Sequence, residues 1–281
     1  MKMCRMFAIN LREPEDVTDK VMMLIGKYAY GNKDGFGYAY LDDQNEIKLF
    51  KSGCSANEYL LNNKIERIFT RSIIVHLRFS TTSKGGKDNA HPFVSEDGKL
   101  ACCHNGWLRN WEKAKEKLIL EGHEFSSSKC DSEVMLHLFE KYGKNCVNYA
   151  EEKYDVSANG SKRNFLFLKD DGTVVGISDD SLSLTRIENG FMLSSDNISD
   201  ISEEIKEGIS ITLNEGKAVD RRRIFGSKKK EYNSYITSGQ SQFSKNTYVP
   251  SKYRIFGKQF ESMTVPEDDE KFDGWDWTGI N

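Results

Sequence analysis

Apolar residues recur with two different periods along this chain, in strand-like runs toward both ends of the first 225 residues and at helical spacing between them. Cys4 to Asn10 is the first strand candidate, with Met6, Phe7, Ala8 and Ile9 almost at the start of the chain. Val17, Val21, Leu24, Ile25 and Tyr28 then follow the Pro14-Glu15-Asp16 opening and predict an amphipathic helix that fails near Gly31-Asn32. Asp34-Gly35 turns the chain into GFGYAYL, and Asp42 to Asn45 separate that run from EIKLFKSG, a β-hairpin pattern. After a short helical stretch around residues 55 to 67, SIIVHLRFS reads as a strand. Ile73, Val75, Leu77 and Phe79 share one of its faces, and Ile74, His76, Arg78 and Ser80 the other.

A glycine-bearing loop at Lys84 to Asp88 leads through NAHPF to a strand, LACCHN, and a helix from about Trp111 to Glu121. Ser126-Ser127-Ser128 opens the way to a second helix over Asp131 to Tyr142, whose stripe uses Val134 and Leu138. From Asn164 to Asn214 several strands alternate with turns such as Asp171-Gly172, Asn189-Gly190 and Asn214-Glu215-Gly216. Beyond Gly226 the chain turns polar and closes on an acidic, aromatic end, so a domain over 4–225 and a flexible, disordered tail over 226–281 are expected. The basic runs Arg221 to Arg223 and Lys228 to Lys230 read as a solvated linker.

Bulk composition narrows the class. A length of 281 residues, 38% hydrophobic and 30% charged with a formal net charge of −3, fits a soluble globular protein and gives no reason to expect nucleic acid or a membrane as partner. No export leader and no apolar stretch of the roughly 18 residues a membrane span needs is visible, so a cytoplasmic location is expected. Six cysteines without a CxxC pair read as reduced thiols. Cys102 and Cys103 are core candidates, while Cys54, Cys130 and Cys146 lack any supporting motif. His76, His91 and His104 match no compact Cys/His ligand spacing, so neither metal nor cofactor is expected.

Amide hydrolysis needs a nucleophile, a base, donors for the oxyanion and groups that hold the substrate. Cys4 is a candidate nucleophile; as the first residue of a mature chain, its own α-amino group would serve as base. Asn105-Gly106 leaves a strand and offers a side-chain amide and a backbone N–H as oxyanion donors, with glycine allowing close approach. Arg78 suits a substrate carboxylate and Asp131 an ammonium group, although an ion pair and a helix cap are their ordinary structural uses.

The ordered set MCRMFAI, DGFGYAY, HLRFST, NAHPF, CHNG and CDSEV resembles the class II glutamine amidotransferase domain, especially compact members beginning MCR, over roughly residues 3 to 220. The resemblance implies an α+β fold, the four-layer αββα sandwich of the N-terminal-nucleophile hydrolases. It also implies a glutaminase reaction through a Cys4 thioester, with Asn105 and Gly106 as oxyanion hole. Arg78 and Thr81 would bind the glutamine carboxylate and Asp131 its amino group, with His91 in support. Two departures stand out: Met1-Lys2 precede Met3-Cys4, and about 60 polar residues cannot make the large acceptor domain of several family members. An ammonia-accepting synthetase is therefore expected as a separate partner. A γ-glutamyl amide hydrolase of the same fold and a catalytically silent scaffold are the alternatives.

Overall fold

The consecutive apolar residues of the first strand have a direct structural cause: it is buried on both sides. In the computed structural model, which describes residues 4–80, 86–127, 129–157, 163–179 and 181–224, β1 (Arg5–Asp16) turns Phe7, Ile9 and Leu11 toward one apolar layer and Met6 and Ala8 toward another. The expected tail, 226–281, and Thr81 lie outside the described residues.

After β1 come α1 (Thr18–Ala29), the hairpin β2 (Phe36–Leu41) and β3 (Ile47–Ser52), α2 (Ala56–Asn62) and β4 (Phe69–Leu77). The short β5 (Phe93–Val94) and β6 (Leu100–Asn105) precede three helices, α3 (Trp111–Leu120), α4 (Ser132–Tyr142) and α5 (Cys146–Tyr154). The chain then runs through β7 (Asn164–Lys169), β8 (Val174–Ser178), β9 (Ser181–Ile187), β10 (Gly190–Ser194), β11 (Glu203–Lys206), β12 (Ile209–Asn214) and β13 (Lys217–Arg223).

Two antiparallel sheets result, one ordered β11-β9-β10-β1-β4-β2-β3 and the other β13-β12-β8-β7-β6-β5. Met6, Ala8 and Ile74 of the first meet Ala101, Cys103, Leu166 and Leu168 of the second in the layer between the sheets. The outer face of the first sheet packs Ile73, Val75 and Leu77 under Val21, Leu24 and Ile25 of α1. The outer face of the second packs Cys102, Phe165 and Phe167 under α3, α4 and α5. Helix, sheet, sheet and helix thus form the expected αββα sandwich, and Cys102 and Cys103 serve two different layers because neighbouring strand residues face opposite ways. Among the described residues no helix is long and apolar enough to cross a membrane.

Asn10 fastens the two sheets at one end. Its Nδ2 donates to Ser72 Oγ and Gly172 O, 3.0 Å each, and its Oδ1 accepts from Gly216 N at 2.9 Å. Buried completely, it satisfies turns of the second sheet from the middle of the first.

The run Arg221 to Arg223 corrects the linker reading. It belongs to β13, paired to β12 through Ile211↔Arg221 and Ser210↔Arg222, with Arg221 in an ion pair with Glu203. A charged edge strand is held by backbone hydrogen bonds and needs no apolar face, which hides it from a hydrophobicity pattern.

Candidate active site

Cys4 directly precedes β1, whose first ladder pair sets Arg5 opposite Leu77. That register carries the thiol to the segment following β4, where the Phe79 N–H donates to Sγ and the thiol donates to Phe79 O, both at 3.3 Å. Burial pushes the Cys4 thiol up, while the Phe79 bond and the Arg78 charge pull the other way.

β4 ends at Leu77, one residue before Arg78, yet the backbone pairing continues: Arg78 N donates to Gly35 O at 2.8 Å and Asp34 N to Arg78 O at 3.2 Å. Asp34 Oδ2 further accepts from Ser80 N at 2.8 Å, and Arg78 Nη1 donates to Asp34 O at 3.4 Å. The Asp34-Gly35 turn, read from sequence only as a hairpin entry, therefore also shapes the backbone around Arg78. Glycine two residues on is required by packing, since a Cβ on Gly37 would stand 2.5 Å from His91 O and from Phe50 O.

β6 delivers Asn105 and then Gly106, whose φ of 130° is open to glycine and strained for other residues. The Asn105 Nδ2 donates to Cys4 O at 3.1 Å. Gly106 lines the cleft beside Cys4, together with Arg78, His91, Trp107, Trp111, Lys129 and Asp131.

Asp131 stands at the head of α4 without capping it through its side chain. Its carboxylate instead accepts from Leu108 N at 2.7 Å and Ser132 Oγ at 3.3 Å, and burial raises its pKa to about 6. A half-buried carboxylate with these two donors is suited to an incoming cation. The loop before it is held by Glu133, which accepts from the N–H and hydroxyl of both Ser126 and Ser127.

Three neutral imidazoles back the cleft. His76 and His91 rings lie 4.1 Å apart, and His104 stacks on Phe165 at 4.6 Å. Burial holds His76 and His104 down to about 3 and His91 well below its ordinary range. His76 Nε2 meets His104 O, His104 Nδ1 meets Ser132 Oγ, and His91 Nδ1 accepts from His104 N while its Nε2 meets Cys130 Sγ at 3.6 Å. Among the described residues none of these rings is hydrogen-bonded to Cys4 Sγ.

The predicted residues Cys4, Arg78, His91, Gly106 and Asp131 thus meet at one cleft, and Asn105 braces it through Cys4. Trp107, Trp111 and Lys129 were not singled out as site residues from the sequence; Trp107 adjoins CHNG and Lys129 adjoins CDSEV, which is the signal that could have found those two.

A glutamine amidotransferase domain model matches residues 65–199, a stretch that includes Arg78, His91, Asn105, Gly106 and Asp131. The glutamine–fructose-6-phosphate aminotransferase of Sulfolobus acidocaldarius is 30% identical over 190 residues, covering 63% of this chain and 32% of that one. The amidophosphoribosyltransferase of Methanocaldococcus jannaschii is 33% identical over 138 residues, 48% of this chain and 29% of its own. The chain thus spans about a third of the length of the curated relatives it matches. Among solved structures, the B. subtilis glutamine phosphoribosylpyrophosphate amidotransferase superposes with a TM-score of 0.61 at 19% identity, covering 79% of this chain and 49% of that chain. A glutamine aminotransferase class-II domain protein from Silicibacter pomeroyi gives 0.54 at 15% identity, covering 79% of this chain and 100% of that one. At such identities the superpositions establish the fold, and residues 65–199 carry a glutamine amidotransferase domain homologous to the matching domains of those enzymes.

Proposed function

We propose that this domain hydrolyses the side-chain amide of glutamine at Cys4 and passes ammonia to a separate synthetase. The observation that carries the proposal is the convergence of a thiol, an arginine and a half-buried carboxylate with raised pKa on one cleft. Arg78 takes the substrate carboxylate and Asp131 its ammonium group, which fixes the amide carbon toward Sγ. Thr81, outside the described residues, is the further carboxylate contact the family pattern implies.

In this mechanism the free α-amino group of a chain beginning at Cys4 removes the thiol proton, and sulfur adds to the amide carbon. The Gly106 N–H and the Asn105 amide hold the oxyanion. Collapse breaks the C–N bond, the leaving nitrogen takes the proton from the α-ammonium, and ammonia departs. Water, deprotonated by the same amine, then cleaves the thioester to give glutamate and restore the thiol. His91, buried behind the wall, supports the backbone of β6 through His104 N.

The test is a diazoketone analogue of glutamine applied to the protein, followed by peptide mass mapping. One adduct on Cys4, lost together with ammonia release in Cys4→Ala, supports the reading; labelling at another cysteine, or none, overturns it. The domain boundary is proposed to fall near residue 225, so a chain ending after Ile224 should keep both its melting temperature and its glutaminase activity.

A further inference from the structure

Away from the cleft, the end of α3 and the surface of α4 bring His123, His137 and Glu140 together, with one ligand atom from each lying within 4.8 Å of the others. The backbone fixes His123 firmly. Gly122 has a φ of 98°, Gly122 N donates to Ile119 O at 3.0 Å and His123 N to Leu118 O at 3.0 Å, the paired bonds of a Schellman cap. His137 and Glu140 stand three apart on α4 and so share one face. The His123 and His137 rings are 4.8 Å apart.

Glu140 Oε2 lies 2.9 Å from His137 Nδ1 and 3.8 Å from His123 Nδ1. Metal–ligand bonds of about 2.0 to 2.1 Å in a tetrahedron separate ligand atoms by roughly 3.3 Å, and these two distances bracket that edge. His137 is 2% exposed, with Phe125 packed on its ring at 4.4 Å and its Nδ1 hydrogen-bonded to Glu140, while among the described residues its Nε2 has no hydrogen-bond partner, so packing and one hydrogen bond hold this imidazole in place. The adjacent cation, Lys141, is engaged by Glu121 at 2.9 Å, which moderates its repulsion.

We infer that His123, His137 and Glu140 form a binding site for a divalent transition metal of the zinc type, with water as the remaining ligand. Two imidazoles and one carboxylate select zinc over magnesium or calcium, which require oxygen donors. The ion would clip the end of α3 to α4, the helix whose first turn adjoins Asp131. The thirteen residues between the two histidines place the set outside compact ligand patterns, which explains its absence from the sequence reading.

The experiment titrates zinc chloride into metal-free, full-length protein at neutral pH and follows heat of binding and melting temperature, with magnesium chloride as control. The expected result is one zinc per chain, a higher melting temperature with zinc and none with magnesium. His123→Ala and Glu140→Gln, both at partly exposed positions, should each weaken zinc affinity by roughly tenfold or more while leaving the metal-free melting temperature near that of the parent. Absence of zinc binding, or affinity unchanged in both variants, which would put the ion on the cleft thiols, overturns the site.

Discussion

The side-chain amide of Asn105 donates to the backbone carbonyl of Cys4 across 3.1 Å, joining the end of one sheet to the start of the other. One of its two N–H groups is therefore committed to holding the nucleophile, and the second remains for an oxyanion. Asn105→Ala should lower kcat on the order of 100-fold with a small change in KM, because it loses a donor that matters most in the transition state. Steady-state glutaminase kinetics check this, and an unchanged kcat would remove Asn105 from the reaction.

Asp131 should behave as a group maintained for binding at the expense of stability. Its pKa rises from 3.8 to about 6 on folding, so its favourable contribution is present below pH 3.8 and is lost as pH rises through 6. Asp131→Asn can still accept the Leu108 bond and should stabilise the free protein near pH 8 by up to about 3 kcal/mol, while weakening glutamine binding. Glutamine affinity measured on an inactive Cys4→Ser protein should fall about tenfold per pH unit below 6, and Asp131→Asn should flatten that dependence. A destabilised Asp131→Asn protein would point to a structural carboxylate.

The chemistry also predicts which chain is active. A peptide-bonded nitrogen at Cys4 cannot act as base, and the neighbouring imidazoles have other partners. Intact mass of turning-over enzyme should show loss of Met1-Lys2-Met3, and a form that retains them should be nearly inactive. Full turnover by protein that still carries Met1 would require a different base.

Asn10 provides the contrast. Asn10→Ala removes three buried hydrogen bonds and leaves Gly216 N without that partner, so it should cost about 2 to 4 kcal/mol of stability. Glutamine KM, measured well below the lowered melting temperature, should not change. A selective KM effect would mean that the two ends of the sandwich are coupled.

Much of this was legible in the chain because short polar motifs sat at the ends of strongly apolar strands. HLRFST and CHNG begin inside the last residues of β4 and β6, and strand ends are where a rigid sheet presents side chains. Less legible were elements with weak apolar contrast. In α5 the buried face includes the small residues Cys146 and Ala150, and in β13 the ladder bonds are made by backbone under charged side chains. The role of Asp34 was hidden for another reason: its partners, Arg78 and Ser80, are distant in sequence, and nothing local reports such a pairing.

The direct junction between Cys4 and the Arg5↔Leu77 pair makes the sulfur's position a property of sheet register. A strand advances about 3.3 Å per residue and reverses side-chain direction at each step. One residue inserted between Cys4 and Arg5 would carry the thiol beyond Phe79 and turn it to the opposite face, while two would restore the face but overshoot by about 6.6 Å. The nucleophile therefore has a tether of fixed length that admits neither slack nor splice, and transplanting this site to another scaffold means transplanting the strand phase along with the cysteine.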